Sequence, residues 1–96
     1  MSVRPEFAPY QLVFAKAFQK QFKHLSDQNA ERVAAALQRL SLEGLGDVSD
    51  VGDDMAGAFR LRVGALRILF DVEKNQIFIR VLEKRGEAYK RRSRNK

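Results

Sequence analysis

The stretch Phe59-Arg60-Leu61-Arg62-Val63-Gly64-Ala65-Leu66-Arg67-Ile68-Leu69-Phe70-Asp71-Val72 places an apolar residue at every second position on either side of a Gly-Ala pair. A period of two sends successive side chains to opposite faces of a strand, so the stretch predicts two strands joined by a two-residue turn. Glycine at the first turn position suits a type II′ hairpin. With that turn, Val63 pairs with Leu66, Arg62 with Arg67, Leu61 with Ile68 and Arg60 with Leu69. One face then carries Phe59, Leu61, Val63, Leu66, Ile68, Phe70 and Val72, and the other carries Arg60, Arg62 and Arg67.

Downstream, Glu73-Lys74-Asn75-Gln76 reads as a second turn and Ile77-Phe78-Ile79-Arg80-Val81-Leu82 as a further strand. A tight turn there sets Val72 opposite Ile77, Leu69 opposite Arg80 and Arg67 opposite Leu82. Arg80 is thereby expected on the arginine face, and Ile77, Ile79 and Val81 on the apolar one. Upstream, Tyr10 to Phe14 has the aromatic and β-branched content of a short first strand. From Phe14 the period becomes helical: Phe14, Phe18, Phe22 and Leu25 form one stripe, with Lys16, Lys20 and Lys23 off it. That stripe is read as core cover, not as a platform for stacking bases. Ser26 or Asp27 caps a second helix carrying Val33, Ala36, Leu37 and Leu40 on one side. His24, the only histidine, falls at the end of the first helix, where it is read as a C-terminal cap. Residues 43–57, rich in Gly and Asp, read as an acidic loop. Asp47, Ser49 and Gly52 mimic part of a calcium loop, but Val51 and Ala58 occupy two ligand positions, so calcium is not expected.

These elements give an α+β domain: an antiparallel pair of N-terminal helices on one face of a mostly antiparallel sheet of about four strands. At 96 residues the chain accommodates a single domain, with residues 1–9 as a leader and 90–96 as a mobile basic tail. There is no cysteine to support a disulfide framework. Neither a signal-like N-terminus nor an apolar run of membrane-spanning length is present, so the expectation is a cytoplasmic protein without a membrane partner.

Charge is unevenly spread. The formal net charge is +6, yet residues 1–58 are net acidic and the excess of Lys and Arg lies in residues 59–96. Such a field points to a polyanionic partner, nucleic acid or an acidic protein. Antiparallel sheets often carry a wet face, and arginine is acceptable there. But directly opposed like charges repel, by about 0.7 kcal/mol at ~6 Å in water, so nothing in folding calls for Arg62 opposite Arg67. Planar, bidentate donors clustered on one face are what phosphate recognition requires.

The run 59–72, followed by Lys84-Arg85-Gly86-Glu87-Ala88-Tyr89, resembles the RelE/ParE toxin superfamily, and more closely its RelE-like members, over about Tyr10 to Tyr89. The resemblance implies the toxin of a type II toxin–antitoxin pair, a ribosome-dependent endoribonuclease cutting mRNA in the A site. It also implies an acidic antitoxin as partner, with a free toxin that is monomeric. On this resemblance, Arg60 and Arg62 contact RNA phosphates, Arg67 and Arg85 stabilise the reacting phosphate, and Tyr89 orients or activates the nucleophile; Arg80, from its place on the arginine face, and Lys84 are expected to bind phosphate as well. No metal or cofactor is implied, because RNA supplies its own 2′-hydroxyl. Arginine cannot serve as the base, which leaves Tyr89, Glu83, Glu87 or Lys84, with Tyr89 preferred. Two other readings remain open: a ParE-like inhibitor of DNA gyrase without nuclease activity, and a nucleic-acid-binding module without catalysis.

Overall fold

The computed structural model describes residues 3–50 and 58–84. In chain order the elements are a 3-10 turn at Pro5–Phe7, strand β1 (Gln11–Phe14), helices α1 (Lys16–Lys23) and α2 (Asp27–Glu43), and strands β2 (Val48–Asp50), β3 (Ala58–Val63), β4 (Leu66–Glu73) and β5 (Gln76–Lys84). They form one five-stranded sheet in the order β1-β5-β4-β3-β2. All neighbours are antiparallel except β1 and β5, which run parallel. The α+β architecture expected from the pattern is therefore present, with one strand more than expected.

The extra strand is β2, which lies inside the segment read as a loop. Val48-Ser49-Asp50 has one β-branched residue and little intrinsic strand preference. Its extended state comes from pairing with β3, Val48 opposite Leu61 and Ser49 opposite Arg60, and from burial of Val48. Gly46 lets this edge approach: a Cβ there would lie 2.8 Å from Leu61 Cδ1.

The central hairpin pairs as the turn dictates, Val63 with Leu66 and Arg62 with Arg67. Gly64 has φ +61°, the left-handed value that the first position of a type II′ turn requires and that glycine adopts without strain. The second hairpin departs from the expected register. Val72 does face Ile77, but a bulge between Leu69 and Phe70 shifts the pairing, so Leu69 lies opposite Val81 and Arg67 opposite Glu83. One extra residue reverses the alternation of β5 beyond Ile79. Leu82, not Val81, thus enters the core beside Ile68, with 7% of its surface exposed.

The helices cover the apolar face. Phe18, Val33, Leu37 and Leu40 meet Leu61, Leu66, Ile68, Phe70, Ile77, Ile79 and Leu82 in one core. Phe18 is buried, with Phe14 stacked on it at 5.6 Å and Phe22 tilted against it at 5.9 Å. Ser26 caps α2, its hydroxyl accepting from Asn29 N–H at 3.2 Å. Residues 3–10 are built into the fold. Val3 and Tyr10 are buried, Val3 N–H donates to Gly44 O at 3.0 Å, and the Tyr10 hydroxyl donates to Arg4 O. Among the described residues no helix is long and apolar enough to cross a membrane.

Candidate functional site

The face of the sheet turned away from the helices is organised in cross-strand rows. One row is Arg62, Arg67 and Glu83, and the next is Arg60, Leu69 and Val81. In directly opposed residues the Cβ atoms lie about 4.5–5.5 Å apart, so Arg62 and Arg67 are immediate neighbours of like charge. Arg62 is exposed, while Arg60 and Arg67 are half-buried. Half-burial lowers the local dielectric and strengthens the mutual repulsion and the pull on an anion alike.

Among the described residues the ion pairs are Arg39–Glu43 on α2 and Arg80–Asp71 on the sheet. None of Arg60, Arg62 and Arg67 takes part in one. Glu83 stands opposite Arg67 without closing to ion-pair distance. The Nε of Arg60 is buried and has no hydrogen-bond partner among the described residues. A desolvated donor left unpaired costs about 1–3 kcal/mol, a cost that Arg60 Nε carries among the described residues.

Arg80 differs from the other three. The bulge frees it from the expected pairing with Leu69, and its Nε lies 2.9 Å from Asp71 Oδ2. Its charge is therefore matched by a neighbouring carboxylate, which the alternation pattern concealed because Asp71 and Arg80 meet on the diagonal, not directly across. Lys84 is exposed at the end of β5, opposite Leu66. Arg85, Glu87 and Tyr89 lie outside the described residues, as do the basic positions 90–96.

Among the described residues, two concavities on the helix side of the sheet stand out. The larger, about 640 Å³, lies among β1, α1 and α2 and is walled by Leu12, Phe14, Phe18, Phe22 and Leu37. The smaller, about 240 Å³, sits where α1 ends and is lined by Gln21, His24, Leu25, Leu66, Leu82, Glu83 and Lys84. His24 is the C-cap residue of α1, its backbone N–H donating to Gln21 O at 3.1 Å, while Leu25 N–H donates to Phe22 O. Sequence spacing alone could not bring it near β5; the parallel β1–β5 pairing does so by laying α1 over β5. Among the described residues no group of three or more His, Cys, Asp or Glu is arranged to hold a metal ion.

No protein-family model matches the sequence, and no curated protein sequence does. Solved structures do match. The RelB–RelE antitoxin–toxin complex from Methanococcus jannaschii includes a chain 25% identical at a TM-score of 0.69, the match covering 82% of this chain and 96% of that one. The toxin–antitoxin complex RelBE2 from Mycobacterium tuberculosis gives 23% identity and a TM-score of 0.71 over 82% and 94% of the two chains. The isolated RelE toxin of Escherichia coli gives 20% and 0.63 over 85% and 97%. A YoeB toxin from Staphylococcus aureus gives 20% and 0.62 over 77% and 94%. The architecture of this chain, two helices on one face of a five-stranded, mostly antiparallel sheet, is the RelE-like fold of the RelE and YoeB toxins.

Proposed function

We propose that this chain is the toxin of a type II toxin–antitoxin pair and that it cleaves mRNA on the ribosome. The observation that carries this reading is the cluster of Arg60, Arg62 and Arg67 on neighbouring rows of a face the core does not use, none of them in an ion pair with another described residue. In the reaction the 2′-hydroxyl oxygen attacks the adjacent phosphorus and the bond to O5′ breaks, leaving a 2′,3′-cyclic phosphate and a 5′-hydroxyl. The 2′-hydroxyl proton passes to a base, and O5′ receives one as it leaves. Arg67 faces the negative charge that develops on the five-coordinate phosphorus, with Arg85 as a second donor. Arg60 and Arg62 hold flanking phosphates, and Lys84 adds a cation at the exposed end of β5. Arg80 contributes less to the field because Asp71 shares its charge. Tyr89 activates or orients the nucleophile. The partner that silences the toxin is an acidic antitoxin laid over the same cationic face, in keeping with the RelB-bound state of the relatives from M. jannaschii and M. tuberculosis.

Primer extension on a translated mRNA tests the reading. Discrete cuts are expected only when ribosomes are present, and Arg67→Ala or Arg85→Ala is expected to reduce them by about 10²–10³-fold at unchanged fold, the usual cost of losing one charge-stabilising donor. Cleavage complexes on supercoiled DNA with intact mRNA would favour gyrase as the target instead.

A further inference from the structure

We infer that the outer face of the sheet seats one unstacked nucleobase of the RNA on the ring of Phe78, beside the arginines that take its phosphates. The inference rests on the function proposed above and names a base subsite within it. Phe78 lies between Ile77 and Ile79, both fully buried in the core. Strand alternation therefore turns its ring to the opposite side of β5, the side that carries Arg60, Arg62 and Arg67. It pairs with Asp71 of β4 and with Val13 of β1, which is 38% exposed. Leu69 and Val81, both half-buried, occupy the next row. None of these four apolar residues forms part of the core or of the apolar layer packed against it. The face away from the helices thus carries a second apolar patch, with an aromatic ring in it, that the packing of the core does not explain.

The patch joins the cationic cluster without a break. Leu69 stands directly opposite Arg60 on one side and Val81 on the other. Strand geometry sets the Cα atoms of Arg60 and Phe78 about 12 Å apart, two strands over and one row along, a gap that one nucleotide and an arginine side chain together span. The carboxylate nearest the ring, Asp71, is matched by Arg80 at 2.9 Å, so it does not repel a phosphodiester chain passing over the patch. Glu83 lies two rows away from the ring. A nucleotide suits both halves of this surface. Its planar base stacks on an aromatic face presented by a sheet, the way sheet-based RNA-binding domains hold splayed bases, and its phosphate takes the bidentate guanidinium donors. An acidic peptide would also engage the arginines, but its apolar side chains gain most from a recess, and the two concavities described above both lie on the helix side.

Fluorescence binding assays on the full chain, without ribosomes, test the assignment with a short single-stranded RNA and the matching abasic strand, which keeps the phosphates and lacks the bases. Phe78→Val retains a strand-forming apolar residue and removes the ring. It is expected to weaken binding of the base-bearing RNA by about tenfold, as for loss of one stacking partner, and to leave binding of the abasic strand unaffected. The salt dependence is expected to stay the same, since stacking releases no counterions. The chain contains no tryptophan, so Phe78→Trp sets a single reporter indole at this spot. Its emission is expected to be quenched by the base-bearing strand and not by the abasic one. Absence of quenching, or an equal loss for both strands in folded Phe78→Val, would overturn the assignment. Unchanged RNA affinity with weakened binding of a glutamate- and leucine-rich peptide would overturn it too, giving the patch to a protein partner. Intact mRNA in the primer-extension assay alongside base-dependent quenching would contradict only the cleavage reading; cut mRNA without that quenching would contradict only the base subsite.

Discussion

Arg60 shows how a single side chain can be retained against the interest of folding. Its strand position is fixed by pairing with Leu69 on one side and Ser49 on the other, yet its Nε is desolvated with no acceptor among the described residues. Replacing it by an unbranched apolar residue keeps the aliphatic stem and removes the orphan donor. Arg60→Met is therefore expected to raise stability by about 1 kcal/mol in urea unfolding while weakening binding to single-stranded RNA. A loss of stability would mean that the guanidinium is satisfied in the free protein. Arg80 sits at the other extreme: with Asp71 at 2.9 Å and about half its side chain exposed, it forms a surface ion pair of little energetic weight.

At the scale of elements, what the sequence revealed and what it hid have separate physical causes. The hairpin 59–72 was legible because period-two alternation and a glycine-led turn are both local signals, and its register followed from them. The helices were legible from the spacing of Phe14, Phe18, Phe22, Val33, Leu37 and Leu40. The bulge at Leu69/Phe70 was not, since an inserted residue leaves no mark in an apolar run such as Val81-Leu82. Strand β2 was hidden because its extended state depends on a neighbour. Of the candidate site, the arginine row was readable from alternation, whereas the Asp71–Arg80 pair and the approach of His24 to β5 depend on the bulge and on the parallel β1–β5 contact.

Two side chains reinforce the ends of elements, and each yields a test. β1 pairs with β5 only as far as Ile79, so the next stretch of β5 lacks a strand on that side, and Gln21 takes the place of one by bonding both polar groups of Leu82. Gln21→Leu leaves these groups unpaired and is expected to cost about 2–4 kcal/mol of stability, with amide exchange at Leu82 accelerated. An unchanged exchange rate would show that the clamp is dispensable. Tyr10 ties the N-terminal segment down through its bond to Arg4 O. Burial, reinforced by Glu6 and opposed by Arg4, raises its phenol above the ordinary 10.0. A raised folded pKa means the folded state holds the proton longer than the unfolded one, so this stabilisation is whole below about pH 10 and is lost as pH climbs through the folded value. Tyr10→Phe is expected to flatten the alkaline decline in a thermal unfolding series between pH 9 and 11, at some cost in stability at neutral pH from the lost hydrogen bond.

The whole molecule divides into two functional halves. The helices and one sheet face supply a core with no charged residue buried in it among the described residues, which leaves the other face free to carry charge. The basic excess of residues 59–96 is thereby presented on a rigid sheet and not only in the basic run that ends the chain. Rigidity matters for phosphate binding because guanidinium groups held by strand pairing lose little further entropy on engaging an anion. Each phosphate contact also releases counterions, so the molecule as a whole should bind RNA with a steep dependence on salt.

The salt dependence of RNA binding tests that claim most directly. Affinity for a short single-stranded RNA, measured from about 50 to 200 mM salt, is expected to fall less steeply for the Arg62→Gln, Arg67→Gln double variant than for the unsubstituted chain. The difference in slope of log K against log salt should be about 1.4, or about 0.7 for each phosphate contact removed. An identical slope in the two proteins, with both still folded, would contradict the assignment of these arginines to the RNA backbone.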